Sequence, residues 1–143
     1  VFSYVSGPGD YIGKGRSERL TLADMRFLAR QTPNRPGVAV TLQSTQGPYI
    51  VWSASFAAAS GTMLQPGTYP GANRYPFNSG VPGLNISGNG AGCNTLNGSF
   101  IVHEVSYGPS GEVLRLDVSF EQHCGGASPA LRGEILIVAD PWR

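Results

Sequence analysis

Residues 98–123 constrain the fold more than any other part of this chain. Two runs, Ser99 to Tyr107 and Glu112 to Gln122, flank Gly108-Pro109-Ser110-Gly111. A four-residue loop of that kind suits a type I turn between antiparallel strands. In the second run Leu114, Leu116, Val118 and Phe120 alternate with Val113, Arg115, Asp117, Ser119 and Glu121. A period of two predicts a strand with one buried face. Symmetric pairing about the turn sets Tyr107 opposite Glu112, Val105 opposite Leu114, His103 opposite Leu116 and Ile101 opposite Val118. Glu104 then stands opposite Arg115. The apolar faces coincide in this register, and His103 is expected on the core side. Continuing outward brings Cys93 near Cys124, at the open end of the hairpin.

The same period recurs elsewhere. Val38, Val40 and Leu42 alternate with Ala39, Thr41 and Gln43. Ile50, Trp52, Ala54 and Phe56 share a face, and Gln46-Gly47-Pro48 marks a turn between the two runs. Arg132 to Val138 predicts a last strand, with Ile135 and Ile137 together. Leu20 to Arg30 fits either a short helix or two short strands around Ala23-Asp24, and an otherwise β chain favours strands. Residues 60–97 read as a loop region, punctuated by Pro66-Gly67, Pro70-Gly71, Pro82-Gly83 and Gly88-Asn89-Gly90. A loop of that length in a compact domain is usually functional. The expectation is one all-β domain over residues 1–143, an antiparallel β-sandwich or flattened barrel with a long Gly/Pro-rich loop region and one disulfide.

Cys93 and Cys124 are the only cysteines, and neither belongs to a C-x-x-C pair. Both sit among glycines in turn-like settings, which favours a disulfide over zinc or redox chemistry. A disulfide implies a secreted, periplasmic or cell-surface home. Net charge is +1, which removes any electrostatic argument for nucleic acid. Lys14, Arg16, Arg19, Arg26 and Arg30 cluster, but Glu18 and Asp24 dilute them. No apolar run approaches the ~20 residues that span a bilayer as a helix.

Candidate chemistry is sparse. His123 and Glu121 share a strand face, yet a metal site needs three or more converging ligands, so they are weak candidates and no cofactor is expected. No Gly-x-Ser-x-Gly elbow is present. A secreted hydrolase or metal enzyme using His123 or His103 is the rival reading. Glu104 fits a surface partner of Arg115 better than an acid–base catalyst. Asp10, Asn85, Asn89 and Asn94 on Gly-rich turns could offer oxygens to calcium, but turn-forming side chains explain them as well. The aromatic residues are more informative. Tyr69, Tyr75 and Phe77 lie in the loop region with Asn73 and Arg74, and Tyr11 lies on another Gly-rich loop. Such residues suit glycan or protein recognition, because rings stack at low entropy cost and amides give directional hydrogen bonds. Val1, Phe2, Ser3, Tyr4 and Val5 alternate as a strand, which would pair within its own sheet or add to a neighbour's edge in a self-assembling subunit. Trp142 near the end could dock or pack.

Several segments together carry a resemblance. They are Gly9-Asp10-Tyr11-Ile12-Gly13, Pro66-Gly67-Thr68-Tyr69, Ala72-Asn73-Arg74-Tyr75-Pro76-Phe77, Gly92-Cys93-Asn94-Thr95-Leu96, Phe120-Glu121-Gln122-His123-Cys124 and Pro129-Ala130-Leu131-Arg132-Gly133-Glu134-Ile135. In this order they resemble a family of secreted bacterial β-domains with no established activity. The resemblance covers roughly residues 7 to 137 and implies export, a paired Cys93–Cys124 and a bacterial source. Relatives tend to carry an acidic residue straight after the second cysteine, where this chain has Gly125. The leading functional expectation is a non-catalytic binding or structural module, as a surface-assembly subunit or a lectin-like domain.

Overall fold

The structure, a computed structural model, describes residues 1–32, 37–88 and 90–138. Asn89 and Trp142 lie outside the described residues. The first five strands are β1 (Phe2–Ser6), β2 (Ser17–Leu20), β3 (Met25–Gln31), β4 (Val38–Ser44) and β5 (Val51–Ala57). The others are β6 (Gly67–Arg74), β7 (Gly83–Gly88), β8 (Leu96–Tyr107), β9 (Val113–Cys124) and β10 (Leu131–Val138). They form one sheet in the order β2-β1-β10-β9-β8-β6-β7-β5-β4-β3, nearly closed into a barrel. Among the described residues no helix is long and apolar enough to cross a membrane.

Closure follows from where the large side chains point. Phe2 and Tyr4 of β1 face inward and meet Trp52 of β5, with ring centroids 5.1 and 4.8 Å apart. Phe56 of β5 meets Phe100 of β8 at 5.2 Å. Thus the two ends of the sheet bury their apolar faces against each other. Trp52 can lie flat across β7 because its cross-strand partner is Gly88. A Cβ at Gly88 would fall 2.3 Å from the indole, so no larger residue fits there.

Residues 20–30 are strands around a turn. Asp24 does not start a helix; its carboxylate accepts from the Thr21 amide at 3.2 Å and closes the turn between β2 and β3. The β4–β5 hairpin and β10 stand where the alternation put them, with Val38, Val40, Leu42, Trp52, Ala54, Phe56 and Ile135 buried. The loop region needs correction, because it contains β6 and β7. Proline and glycine mask both strands. Pro70 and Gly71 sit at an irregularity between Tyr69 and Ala72, where the ladder to β8 is interrupted and Pro70 has no amide to contribute. The β6–β7 pairing is parallel, so the sheet is mixed rather than antiparallel throughout.

The hairpin turn forms, with the Gly111 amide donating to the Gly108 carbonyl at 3.0 Å. The register around it is not the symmetric one. Tyr107 faces Val113, Val105 faces Leu116 and Val102 faces Val118. Leu114 is an extra residue on β9 and His103 an extra residue on β8. The first bulge lets both Val113 and Leu116 reach the core. The second keeps Phe100, Val102 and Val105 on the inner side and sends His103 and Ile101 outward. His103 is therefore a surface residue. Arg115 still contacts Glu104, now diagonally, since Glu104 faces Asp117. The Cys93–Cys124 disulfide is present at the hairpin base, with Cα atoms 5.3 Å apart.

β1 is an interior strand, with β10 on one side and β2 on the other. Its backbone groups are used on both sides, so strand addition through Val1–Val5 would first require β2 to leave.

Candidate functional site

The cleft at the end of β6 is built by local hydrogen bonds. After Arg74 the chain turns back: the Phe77 amide donates to the Arg74 carbonyl at 2.7 Å, and Val81 donates to Asn78 at 3.1 Å. The Asn78 side-chain amide donates to the Val81 carbonyl at 2.9 Å. Gly83 gives this turn room, because a Cβ there would sit 2.8 Å from the Asn78 amide group. The segment so held presents Phe77 outward, 70% exposed. The guanidinium carbon of Arg74 lies 5.1 Å from the centroid of that ring. Arg74 Nη1 also donates to the Asn94 carbonyl at 2.8 Å.

The opposite wall comes from residues just after Cys93. Asn73 of β6 faces Asn97 of β8, which sets Asn94, Thr95 and Leu96 beside Arg74. The disulfide anchors one end of this wall, and the Gly125 amide donates to the Thr95 carbonyl at 2.7 Å. The result is a cleft of about 530 Å³ lined by Asn73, Arg74, Phe77, Asn94, Thr95 and Leu96. Its size is typical of small-molecule sites.

Of the expected ligand-binding residues, Asn73, Arg74 and Phe77 come together here. The others do not line the cleft. Tyr69 stacks on Phe100 with centroids 4.7 Å apart, and its hydroxyl donates to the Gln65 carbonyl. The Tyr75 hydroxyl donates to Thr32 Oγ1 at 3.1 Å and is partly buried. Tyr11 is exposed on the β1–β2 loop. Sequence reasoning missed Thr95 and Leu96 and weighed Asn94 only as a possible calcium ligand, since only the cross-strand pairing brings the three near Arg74.

Comparisons with protein-family models, curated proteins and solved structures give no match.

The histidines occupy the outer face of the β8–β9 pair. His103 Nε2 is 2.9 Å from Ser119 Oγ on an exposed surface. His123 Nε2 is 2.8 Å from Glu121 Oε2, and its Nδ1 is 2.9 Å from the Ala127 carbonyl. Both ring nitrogens thus face acceptors, an arrangement that only the doubly protonated ring satisfies. The hydrogen bond to Glu121 raises the His123 pKa above its ordinary value. The bond from His123, followed by that from Arg132 at 2.8 Å, lowers the Glu121 pKa. Both nitrogens of His123 are engaged, and Arg132 binds the other oxygen of Glu121. Among the described residues no group of three or more His, Cys, Asp or Glu could hold a metal ion.

This pair makes stability depend on pH in a definite way. The Glu121 contribution is present above its unfolded value near 4.5 and is lost as pH falls through its lowered folded value. The His123 contribution is present below its unfolded value near 6.5 and is lost as pH rises through its raised folded value. Glu121→Gln should therefore lower Tm most between those two values. Both groups are partly exposed, so the shift should be about 1–3 °C. It should shrink as pH falls through the lowered folded value and vanish once the carboxylate is protonated in both states. Once pH has risen through the raised His123 value, only the share due to Arg132 should remain. Thermal unfolding of both proteins across pH checks this, and a shift that does not vary with pH would refute it.

Asp10 is a loop staple. It is buried, and its Oδ2 accepts from Ser6 Oγ and the Gly13 amide, both at 2.8 Å. The Asn85 side chain donates to the Tyr75 carbonyl at 3.3 Å, so it too serves the turn that carries Phe77.

Proposed function

We propose that this chain is an extracellular, non-catalytic recognition module that binds a glycan in the cleft between the β6–β7 turn and the start of β8. One observation carries the reading: Phe77 stands 70% exposed, held by its turn and braced by Arg74. Exposing a phenylalanine ring to water is unfavourable, and stacking a sugar ring on it removes that cost. Asn73, Asn94 and Thr95 line the same cleft and can supply directional hydrogen bonds. No carboxylate, imidazole or thiol lines it, which speaks for binding over chemistry. The disulfide is compatible with an extracellular location.

A glycan array probed with the protein and its Phe77→Ala variant tests the proposal. The wild type should retain at least one glycan. The variant should bind that glycan about tenfold more weakly or worse. Its Tm should stay close to wild type, since the ring contributes little to the core. Wild-type protein that retains no glycan, or a variant that binds as well, would remove the reading.

A further inference from the structure

The cleft holds one positive charge, and none of the described residues lining it neutralises that charge. Arg74 is the cation; Asn73, Phe77, Asn94, Thr95 and Leu96 bring no carboxylate. On the outer face of β9 and β10, Arg115 pairs with Glu104 and Arg132 with Glu121. Arg74 has no ion pair among the described residues. Of its five N–H donors, the one hydrogen bond made is from Nη1 to the Asn94 carbonyl. Its Nε is buried with no hydrogen-bond partner. Buried there, it is out of a ligand's reach, so an acceptor in the cleft would meet the Nη groups.

Meanwhile the guanidinium is oriented. The Asn94 carbonyl fixes one nitrogen, and the Phe77 ring lies 5.1 Å from the central carbon. Arg74 stands near that ring, whose 70% exposure leaves room for a second stacking partner. An oriented, under-satisfied guanidinium is the complement of a planar carboxylate, which it can grip with two parallel hydrogen bonds. An acidic oligosaccharide offers both a stacking ring and such a carboxylate on the scale of this cleft.

We propose that the ligand is a uronate-containing glycan, with one pyranose stacked on Phe77 and the carboxylate of an adjacent sugar seated on Arg74. The inference rests on the glycan-recognition reading of the same cleft and adds the charge of the ligand. Discrimination comes from Arg74, because loss of the carboxylate removes the counter-charge and the forked hydrogen bonds to the guanidinium.

Titration calorimetry on the intact protein tests it with oligomers of galacturonate, of mannuronate and guluronate, and of hyaluronan. Each is compared with its own fully methyl-esterified form, which keeps the sugar rings and removes the charge. At least one acid oligomer should bind about tenfold tighter than its ester. That preference should shrink as salt is raised. Arg74→Gln should bring acid and ester together, whereas Arg74→Lys should restore only part of the preference, because the fork geometry is gone. The ester comparison needs no variant, so a folding defect in Arg74→Gln could not hide the answer. Equal binding of acid and ester, or binding of neutral glycans alone, would overturn the acidic ligand and leave the recognition module standing. Failure to bind any glycan would overturn both.

Discussion

Gln122→Leu is expected to lower the folding free energy by about 3–5 kcal/mol, the largest effect of any single substitution proposed for this protein. Gln122 is fully buried, on the inner face of β9. Its Oε1 accepts from the Ile86 amide at 2.8 Å, and its Nε2 donates to the Ile86 carbonyl at 2.9 Å. The reason lies in the sheet. β6 pairs with β7 only at Gly83 and Leu84, so further along β7 the ladder on that side has no strand. The Gln122 amide substitutes for one, satisfying both backbone groups of Ile86 from across the core. Leucine keeps the volume and removes both partners. Two buried backbone groups would then be unmet, each at a cost of about 1–3 kcal/mol.

Denaturant unfolding should show a lower midpoint with an unchanged slope. Gln122→Glu separates the two bonds. It keeps an acceptor for the amide, loses the donor for the carbonyl and buries a charge, which raises the carboxyl pKa. That variant should gain stability as pH falls through the raised value, because the protonated carboxyl regains a donor. A loss below about 1 kcal/mol for Gln122→Leu would mean that Ile86 finds other partners.

Removal of the disulfide has the second largest expected effect. Its cysteines are 31 residues apart. The chain-entropy model gives roughly 3–4 kcal/mol for a loop of that length. Replacing both Cys93 and Cys124 with serine should lower stability by about that amount. The bond also anchors the wall made by Asn94, Thr95 and Leu96. At a temperature where the double variant is still folded, its ligand affinity should therefore fall as well. Affinity equal to wild type under those conditions would show that hydrogen bonds alone hold the wall, among them Arg74 to Asn94 and Gly125 to Thr95.

Legibility followed the range of the interactions. The β8–β9 hairpin could be read because turn chemistry and alternation are local. Its register could not, because the bulges at Leu114 and His103 follow from which side chains the core accepts. Symmetry placed His103 inside; packing of Phe100, Val102 and Val105 put it outside. β6 and β7 were hidden by Gly67, Pro70, Gly71, Gly83 and Gly88, residues with weak strand preference. Burial of Leu84 and Ile86 and pairing with established neighbours overrode that preference. Half of the cleft was visible as a run of amide, cation and ring at Asn73, Arg74 and Phe77. The other half lies about twenty residues further on, and the pairing of Asn73 with Asn97 delivers it.

By itself the sequence determined the β class, the hairpins at residues 38–57 and 99–122 and the cysteine pair, since each rests on neighbours within a few positions or on counting. Only the tertiary structure decided the near-closure of the barrel, the outward turn of His103, the bond of Gln122 to Ile86 and the Arg74–Phe77–Asn94 cleft. Each of these depends on burial shared between segments distant in the chain, and burial is a property of the whole sheet rather than of any stretch of it.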